Sequence, residues 1–309
     1  MEYTIQRISR HNLKHLLPLF LAAFNKKSSE AELLKKYDTD FLGVSYLGFI
    51  AFDHQGEAAA YYGVFPTEAI VSGKKHLIVQ SGDTMTHPKH QGKGLFIKLA
   101  NQTYQLCAEE KIQAVFGFPS QSSYNGFVKK LQWSHHENIQ QYTIWVYTFP
   151  IAEMASRVKM FRDVYHSFVK YVFSRCARGT PFLNSNLGGG DNLHRSPDFW
   201  EYKLRCDSNK LINLSGINLV VKISSVMGIG DCDAKNLHDF KKMLRKLRIL
   251  SFFTGINRIM FYVSPGTKMD EFLKAIKKPS MGLAIGYRNF DSSVDLSSMK
   301  FSYFDFDTF

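Results

Sequence analysis

The sequence predicts an α/β protein, α+β in detail, made of two successive halves in which strands are flanked by helices. Three observations predict it. Residues 1–150 read as helix, several antiparallel strands, a glycine-bearing turn, helix, strand, helix and strand. From Leu211 the chain runs again through strands, a helix, a strand, a helix and strands. At 309 residues it is long for one domain and comfortable for two of about 150, with 45% hydrophobic and 14% aromatic residues to fill their cores.

In chain order, Leu13, Leu16, Leu17 and Phe20 mark one side of a helix over residues 11–36. It breaks near Asn25-Lys26-Lys27 and restarts at the capped Ser28-Ser29-Glu30-Ala31-Glu32. Tyr46–Phe52 and Ala58–Val64 read as strands joined by Asp53-His54-Gln55-Gly56, and Leu77-Ile78-Val79 leads through Gly82-Asp83-Thr84-Met85 as another. Leu95, Leu99 and Leu106 give the next helix its apolar face. Ala114–Pro119 is a strand, Ser122–Trp133 a short helix and Tyr142–Phe149 a further strand. Over 155–178, Phe161, Val164, Tyr165, Phe168, Val172 and Phe173 line one side of a long basic helix that also carries Lys159, Arg162, Lys170, Arg175 and Arg178. Such a helix suits a membrane surface, although packing between domains is the commoner use. Residues 184–192 are linker by composition, and Pro197 opens a helix. The expected organisation is 1–150, a linking segment 151–195, and 196–309.

In the later half, 211–214, 218–224 and 226–229 read as strands, followed by a helix over 234–249, a strand at Arg258–Val263 and a helix over 269–276. Strands near Leu283–Tyr287 and Lys300–Phe306 complete it. The aromatic run Phe301-Ser302-Tyr303-Phe304-Asp305-Phe306 is expected inside, because so much apolar surface is costly in water.

The chemistry concentrates at Thr86-His87-Pro88-Lys89-His90-Gln91-Gly92-Lys93-Gly94-Leu95-Phe96, between a strand and a helix. Glycines permit a tight turn and a close approach to the backbone, and the first N–H groups of a helix lack internal partners at its positive end. Together they make a pyrophosphate cradle. No Ser or Thr follows a Gly-Lys pair, and the third glycine of G-x-G-x-x-G is missing, so neither a nucleoside triphosphatase nor a dinucleotide fold is indicated. Gln91-Gly92-Lys93-Gly94-Leu95-Phe96, preceded by His87-Pro88, resembles the acetyl-CoA loop of the GCN5-related N-acetyltransferases (the GNAT superfamily), read as Gln/Arg-x-x-Gly-x-Gly/Ala. Phe96 departs from the small residue usual at the last position.

That resemblance implies the GNAT fold, a mixed and mostly antiparallel sheet flanked by helices. It also implies acetyl-CoA as co-substrate, with pyrophosphate on the amides of Gln91, Gly92, Lys93, Gly94 and Leu95 and the acetyl group near Thr86. The second half, lacking a glycine loop between Ile229 and the helix at Ala234, reads as a degenerate GNAT-like copy. The family often places a tyrosine four residues before a Gly-aromatic pair. Here Leu131-Gln132-Trp133 puts Val128 there, and Tyr124, one turn earlier, is the candidate acid, with a packing role open beside it. Asp83 is the candidate base, although strict alternation turns it from the Thr86 face unless a bulge intervenes. His135 and His136 offer imidazoles for proton transfer but read as loop residues, and Phe52, Tyr61 and Tyr62 are candidate acceptor contacts or core.

The four cysteines, Cys107, Cys176, Cys206 and Cys232, are spread without a C-x-x-C pair, so neither a zinc site nor a disulfide framework is indicated. No run of 18 apolar residues and no signal-peptide pattern appears, and a cytoplasmic place is expected. The net charge of +12 suits anionic ligands, coenzyme A among them. The resulting expectation is a bacterial acetyl-CoA-dependent N-acetyltransferase acting on a small amine, a nucleotide-linked amino sugar of surface polysaccharide synthesis first, with no nucleic-acid partner. A non-catalytic acyl-CoA-binding regulator and an aminoacyl-tRNA-dependent transferase are the rival readings.

Overall fold

Short-range signals place the first elements. In the computed structural model, which describes residues 2–157, 159–183 and 190–309, strand β1 (Thr4–Arg7) leads to helices α1 (Leu16–Phe24) and α2 (Glu30–Tyr37). Asn25 takes a left-handed φ of 52° and its N–H closes on the Leu21 carbonyl, ending α1 at the expected break. Ser29 and Glu32 cap each other's backbone and restart the chain as α2. Strands β2 (Leu47–Phe52), β3 (Ala58–Val71) and β4 (Lys74–Thr86) follow as antiparallel hairpins. Between the last two, Ser72 and Gly73 have φ of 49° and 77°, the pair of left-handed residues that a two-residue type I′ turn needs.

Helix α3 (Leu95–Glu109) crosses back so that β5 (Ala114–Gly117) lies parallel to β4. Helix α4 (Gln121–Asn125) continues into a π turn over Gly126–Lys130, and β6 (Ser134–Trp145) follows. Beyond it come α5 (Ile151–Arg157), α6 (Lys159–Ser174), β7 (Ala177–Arg178) and β8 (Asn192–Leu193). Residues 184–189 of the expected linker lie outside the described residues. Helix α7 (Pro197–Leu204) then leads into β9 (Asn209–Leu214), β10 (Ile217–Ile223) and β11 (Met227–Cys232). Helix α8 (Leu237–Thr254), β12 (Arg258–Val263), α9 (Lys268–Lys274) and β13 (Ser280–Asn289) complete the order.

Contacts divide the chain into Met1–Glu137 with Ala284–Ser298, and Asn138–Leu283 with Met299–Phe309. This division does not follow the expected segments 1–150, 151–195 and 196–309. The first unit's sheet runs β1-β2-β3-β4-β5-β13, antiparallel except between β4 and β5. One face buries Ile50, Tyr61, Phe65 and Met85 with residues of α1 and α2, and the other buries Tyr62, Val64 and Val79 with Leu99 and Tyr104 of α3. The second unit's sheet runs β6-β12-β11-β10-β9-β7, parallel only between β11 and β12, with α8 as the crossover. Val169 and Phe173 of α6 enter its core beside Leu219, Phe240 and Ile259. Each sheet is completed by a strand from the other half of the sequence. Gly286–Asn289 of β13 pairs with β5, and Gln140–Trp145 of β6 pairs with β12.

The aromatic run at 301–306 is buried as expected, with Phe301 at 1% and Phe304 at 0% exposure. It is not the expected strand. One bridge joins Ser302 to Val263, and Tyr303–Asp305 forms a 3-10 turn closed by a Ser302–Asp305 capping box. The rings rest on two glycines of β11: a Cβ at Gly228 would meet Tyr303 at 2.5 Å, and one at Gly230 would meet Phe309 at 2.6 Å.

Arg195 locks this arrangement. Its fully buried guanidinium bonds the Asp231 carboxylate, Asp305 at 3.0 Å and the Ser302 hydroxyl at 2.9 Å. Burial pushes the Asp231 carboxyl up, and the Arg195 charge opposes that push. Arg195→Met should leave two buried carboxylates without their cation and cost about 3–5 kcal/mol in chemical denaturation. An unchanged midpoint would show that the cluster contributes nothing.

Candidate active site

The site grows from an irregularity in β4. Tyr61 pairs with Met85, but Gly63 pairs with Gly82, so β4 carries an extra residue opposite β3. The bulge lies at Asp83, whose φ is 50°. It turns Asp83 toward α2, where its carboxylate accepts from Lys36 Nζ at 2.8 Å and from the Tyr37 hydroxyl at 3.1 Å. Burial and the Asp83 charge push the Tyr37 phenol well above its ordinary pKa, so it stays a donor. Thr86 pairs with Ala60, whose side chain belongs to the α3 face, whereas Met85 belongs to the α1–α2 face. Asp83 and Thr86 therefore remain on opposite faces even with the bulge.

Beside the bulge, β4 and β5 part. Their parallel pairing consists of Val79 with Val115 and Gln80 with Phe116. From Ser81 to Thr86 the edge of β4 that faced β5 runs on without ladder pairing to that strand. An unpaired strand edge offers N–H and C=O groups to an extended ligand.

This edge delivers the chain into the cradle. The His87 N–H bonds the Ala59 carbonyl at 2.9 Å, and its Nδ1 accepts from the Lys89 N–H at 3.2 Å. His90 contacts the Tyr3 hydroxyl at 2.9 Å through Nδ1 and the Asp53 carboxylate at 3.6 Å through Nε2. Partial burial and the nearby Lys93 charge lower its pKa. The His87 backbone therefore ties the loop to β3 and the His90 ring ties it to the residues flanking β1 and β2, a role invisible when the motif is read for phosphate groups alone.

Gly92 and Gly94 have φ of 74° and 72°, and a Cβ built on either would meet nothing within 4 Å. The space before the turn is open. Gly94 is the N-cap of α3 and supplies no side-chain cap, while the first intrahelical bond runs from the Lys98 N–H to the Gly94 carbonyl. The N–H groups of Leu95, Phe96 and Ile97 have no such helical partner. Gln91, Gly92, Lys93 and Gly94 are exposed around them, and the Lys93 ammonium lies 6.0 Å from the Tyr3 ring. The residues expected to hold pyrophosphate thus lie together in one turn at the start of α3. The departure at Phe96 is accommodated by Gly126, where a Cβ would meet the Phe96 ring at 2.7 Å. Phe127 and Tyr62 complete its surroundings, with ring centroids 5.1 and 5.9 Å away.

Helix α8 differs at the corresponding point. Its N-cap Asn236 accepts from the Asp239 N–H at 2.9 Å, and Asp239 places a carboxylate in the first turn. That end is already capped, and its charge repels a phosphate.

Tyr124 lies half-buried in α4 with its ring 5.8 Å from that of His135. The π turn follows at once, closed by the Leu131 N–H on the Gly126 carbonyl at 3.1 Å. Val128 lies inside that turn, and Gln132 takes the left-handed φ of 57° for which glycine is usual. His136 contacts Glu137 at 3.6 Å. Tyr61 and Tyr62 are fully buried and Phe52 is in the core, so all three are packing residues. Tyr62 also joins a buried polar chain that the sequence did not signal. Ser81 Oγ donates to the Tyr62 hydroxyl at 2.9 Å, Tyr62 and Tyr104 share a bond of 2.8 Å, and Trp133 Nε1 donates to Tyr104 at 2.9 Å. The chain ties β4, where it parts from β5, to the core beneath α3.

Among the described residues, no group of His, Cys, Asp and Glu has a metal-binding arrangement, and no helix is long and apolar enough to cross a membrane.

The profile of the acetyltransferase (GNAT) domain matches residues 4–135. Solved structures share the fold. A GCN5-related N-acetyltransferase from Kribbella flavida is 12% identical over 94% of this chain and 73% of its own, with a TM-score of 0.57. Another, from Anabaena variabilis, is 13% identical over 93% and 72%, at 0.56. A third, from Sphaerobacter thermophilus, is 14% identical over 96% and 98%, at 0.54. No curated protein sequence matches the chain.

Proposed function

Since residues 4–135 match the acetyltransferase (GNAT) domain, an acyltransferase domain with acetyl-CoA as co-substrate, we propose a specific division of its acetyl-transfer chemistry. The observation that carries it is the unpaired β4 edge from Ser81 to Thr86 leading into the uncapped start of α3. The pantetheine arm lies along that edge as an added strand, and the pyrophosphate accepts from the amides of Gln91 to Leu95. The amine then attacks the thioester carbonyl carbon, with backbone N–H groups near Thr86 stabilising the oxyanion. The C–S bond breaks, and the Tyr124 phenol gives its proton to the departing thiolate. The nitrogen's second proton returns to the Tyr124 oxygen through water, leaving a neutral amide. The acceptor ammonium first loses a proton through water toward Asp83. A relay is needed because Asp83 lies on the other face of β4 and is already engaged by Lys36 and Tyr37.

The acceptor in this reading is a small primary amine, first a nucleotide-linked amino sugar of surface polysaccharide synthesis. Its support is the net charge of +12, which favours a phosphorylated acceptor, and its place is the cytoplasm of a bacterium. Residues 196–309 are read as a degenerate GNAT-like copy without a cofactor of its own. The support is the self-capped α8 with Asp239 where a cradle would stand.

The test is Tyr124→Phe, which keeps the ring and deletes the hydroxyl. Turnover with an amine acceptor, followed as free thiol, should fall roughly 10²-fold while CoA affinity changes little. Full turnover in this variant would return Tyr124 to packing. Tight CoA binding by the unaltered chain without thiol release from any amine would favour a regulator instead.

A further inference from the structure

One end of the second unit presents an apolar surface that its own fold leaves open. Helix α6 is two-sided. Val169 and Phe173 are buried in the core, whereas Phe161, Val164, Phe168 and Tyr171 form an exposed stripe at helical spacing. Ile249, Phe252 and Phe253 are exposed at the end of α8, and Tyr147, at 96% exposure, and Phe149 stand out just after β6. These stretches meet. Thr148 donates to the Phe252 carbonyl at 2.8 Å, Ile151 packs where a Cβ on Gly255 would fall at 2.6 Å, and the Tyr165 hydroxyl donates to the Thr254 carbonyl at 2.9 Å.

The charge beside this surface is predominantly positive, with Asp163 the one exposed acid on α6. Residues 240–257 contain five cations, Lys241, Lys242, Arg245, Lys246 and Arg248, and no Asp or Glu. All five are exposed. Arg162 and Lys170 are exposed on α6 and Arg175 directly after it, with Arg175 5.7 Å from the Tyr171 ring. Arg258 lies 5.8 Å from the exposed Trp145 ring. Large exposed apolar patches mark interaction sites. A two-fold contact with a second copy would bring this cationic belt toward itself. Aromatic side chains beside lysine and arginine instead match the boundary of an anionic membrane, where rings enter the head-group layer and cations meet phosphate.

We propose that this face docks the protein peripherally on an anionic lipid bilayer, lying on the surface without crossing it. The inference does not depend on the acceptor or on the roles of Tyr124 and Asp83. Its test is sedimentation with phosphatidylcholine vesicles, with and without phosphatidylglycerol. The protein should bind the anionic vesicles, ignore the neutral ones, and release at about 0.5 M salt, where the screening length is only a few ångströms. Phe252→Ser with Phe253→Ser should weaken binding at least about ten-fold through lost apolar insertion. Lys241→Glu with Arg245→Glu should weaken it by at least about ten-fold through lost lipid attraction. Both variants should keep the unaltered chain's thermal midpoint and CoA affinity, which separates lost docking from misfolding and from failure of the acetyl-transfer reading. Absence of anionic-vesicle binding at low salt, equal binding to neutral vesicles, or a dimer in solution that the Phe252/Phe253 variant dissolves would each overturn the proposal.

Discussion

Gly94→Asp is expected to weaken coenzyme A binding by roughly 30- to 200-fold, and Gly94→Asn far less. At φ of 72°, any side chain at position 94 bears left-handed strain, which Asn and Asp tolerate best. Because a Cβ there meets no protein atom, the variants need not disturb the fold. They differ from each other by one charge. A carboxylate about 5–8 Å from a phosphate charge, at an effective dielectric constant near 20, opposes binding by about 2–3 kcal/mol, which is the stated fold-change. Calorimetry checks both the cradle and the second half. The unaltered chain should titrate with one coenzyme A per chain, because α8 begins with its own Asn236 cap and Asp239. Equal affinity in the Asp and Gly chains would remove the cradle from the mechanism, and two equivalent sites would remove the degenerate-copy reading.

The turn proposed as the cradle was legible as a turn because its physics is local. A strand, two glycines and an uncapped helix start lie within a few residues of each other, as do the Asn25 break and the Ser29–Glu32 capping box. Features that depend on a distant partner were not. The Asp83 bulge exists only relative to β3, and no alternation of apolar residues announces it. Gly228 and Gly230 carry no local signal for their role, because their lack of side chains serves Tyr303 and Phe309, which are remote in sequence. Lys300–Phe306 had the composition of an inner strand and the burial expected of one, but the Ser302–Asp305 capping box turns it into a 3-10 segment. Local composition marked strands at Tyr142–Phe149 and Leu283–Tyr287, which overlap the end of β6 and the middle of β13. It read His135 and His136 as loop where β6 already runs, and it could not say which neighbours the strands would choose.

That choice makes removal of residues 151–309 the most damaging change expected. A chain of residues 1–150 retains the whole cradle but lacks Gly286–Asn289, which pairs with β5. With it go Arg288, whose Nη1 donates to the Leu131 carbonyl at 3.0 Å, and Phe290, whose ring lies 5.4 Å from Tyr104. Trp133, which packs where a Cβ on Gly286 would fall at 3.0 Å, would lose that cover. Tyr104 and Trp133 are also the inner members of the polar chain that reaches Ser81 on β4, so the damage runs toward the edge proposed for pantetheine. Every residue of β5 is buried, and its newly opened edge would recruit other chains. Since a domain's entire margin is about 5–15 kcal/mol, losing a ladder and two aromatic contacts together should abolish cooperative unfolding. The truncated chain is expected to aggregate and bind no coenzyme A, whereas adding a peptide of residues 280–298 should restore part of both properties. A chain of residues 1–150 that unfolds cooperatively and binds coenzyme A with full affinity would show that β13 is dispensable to the sheet that holds the cradle.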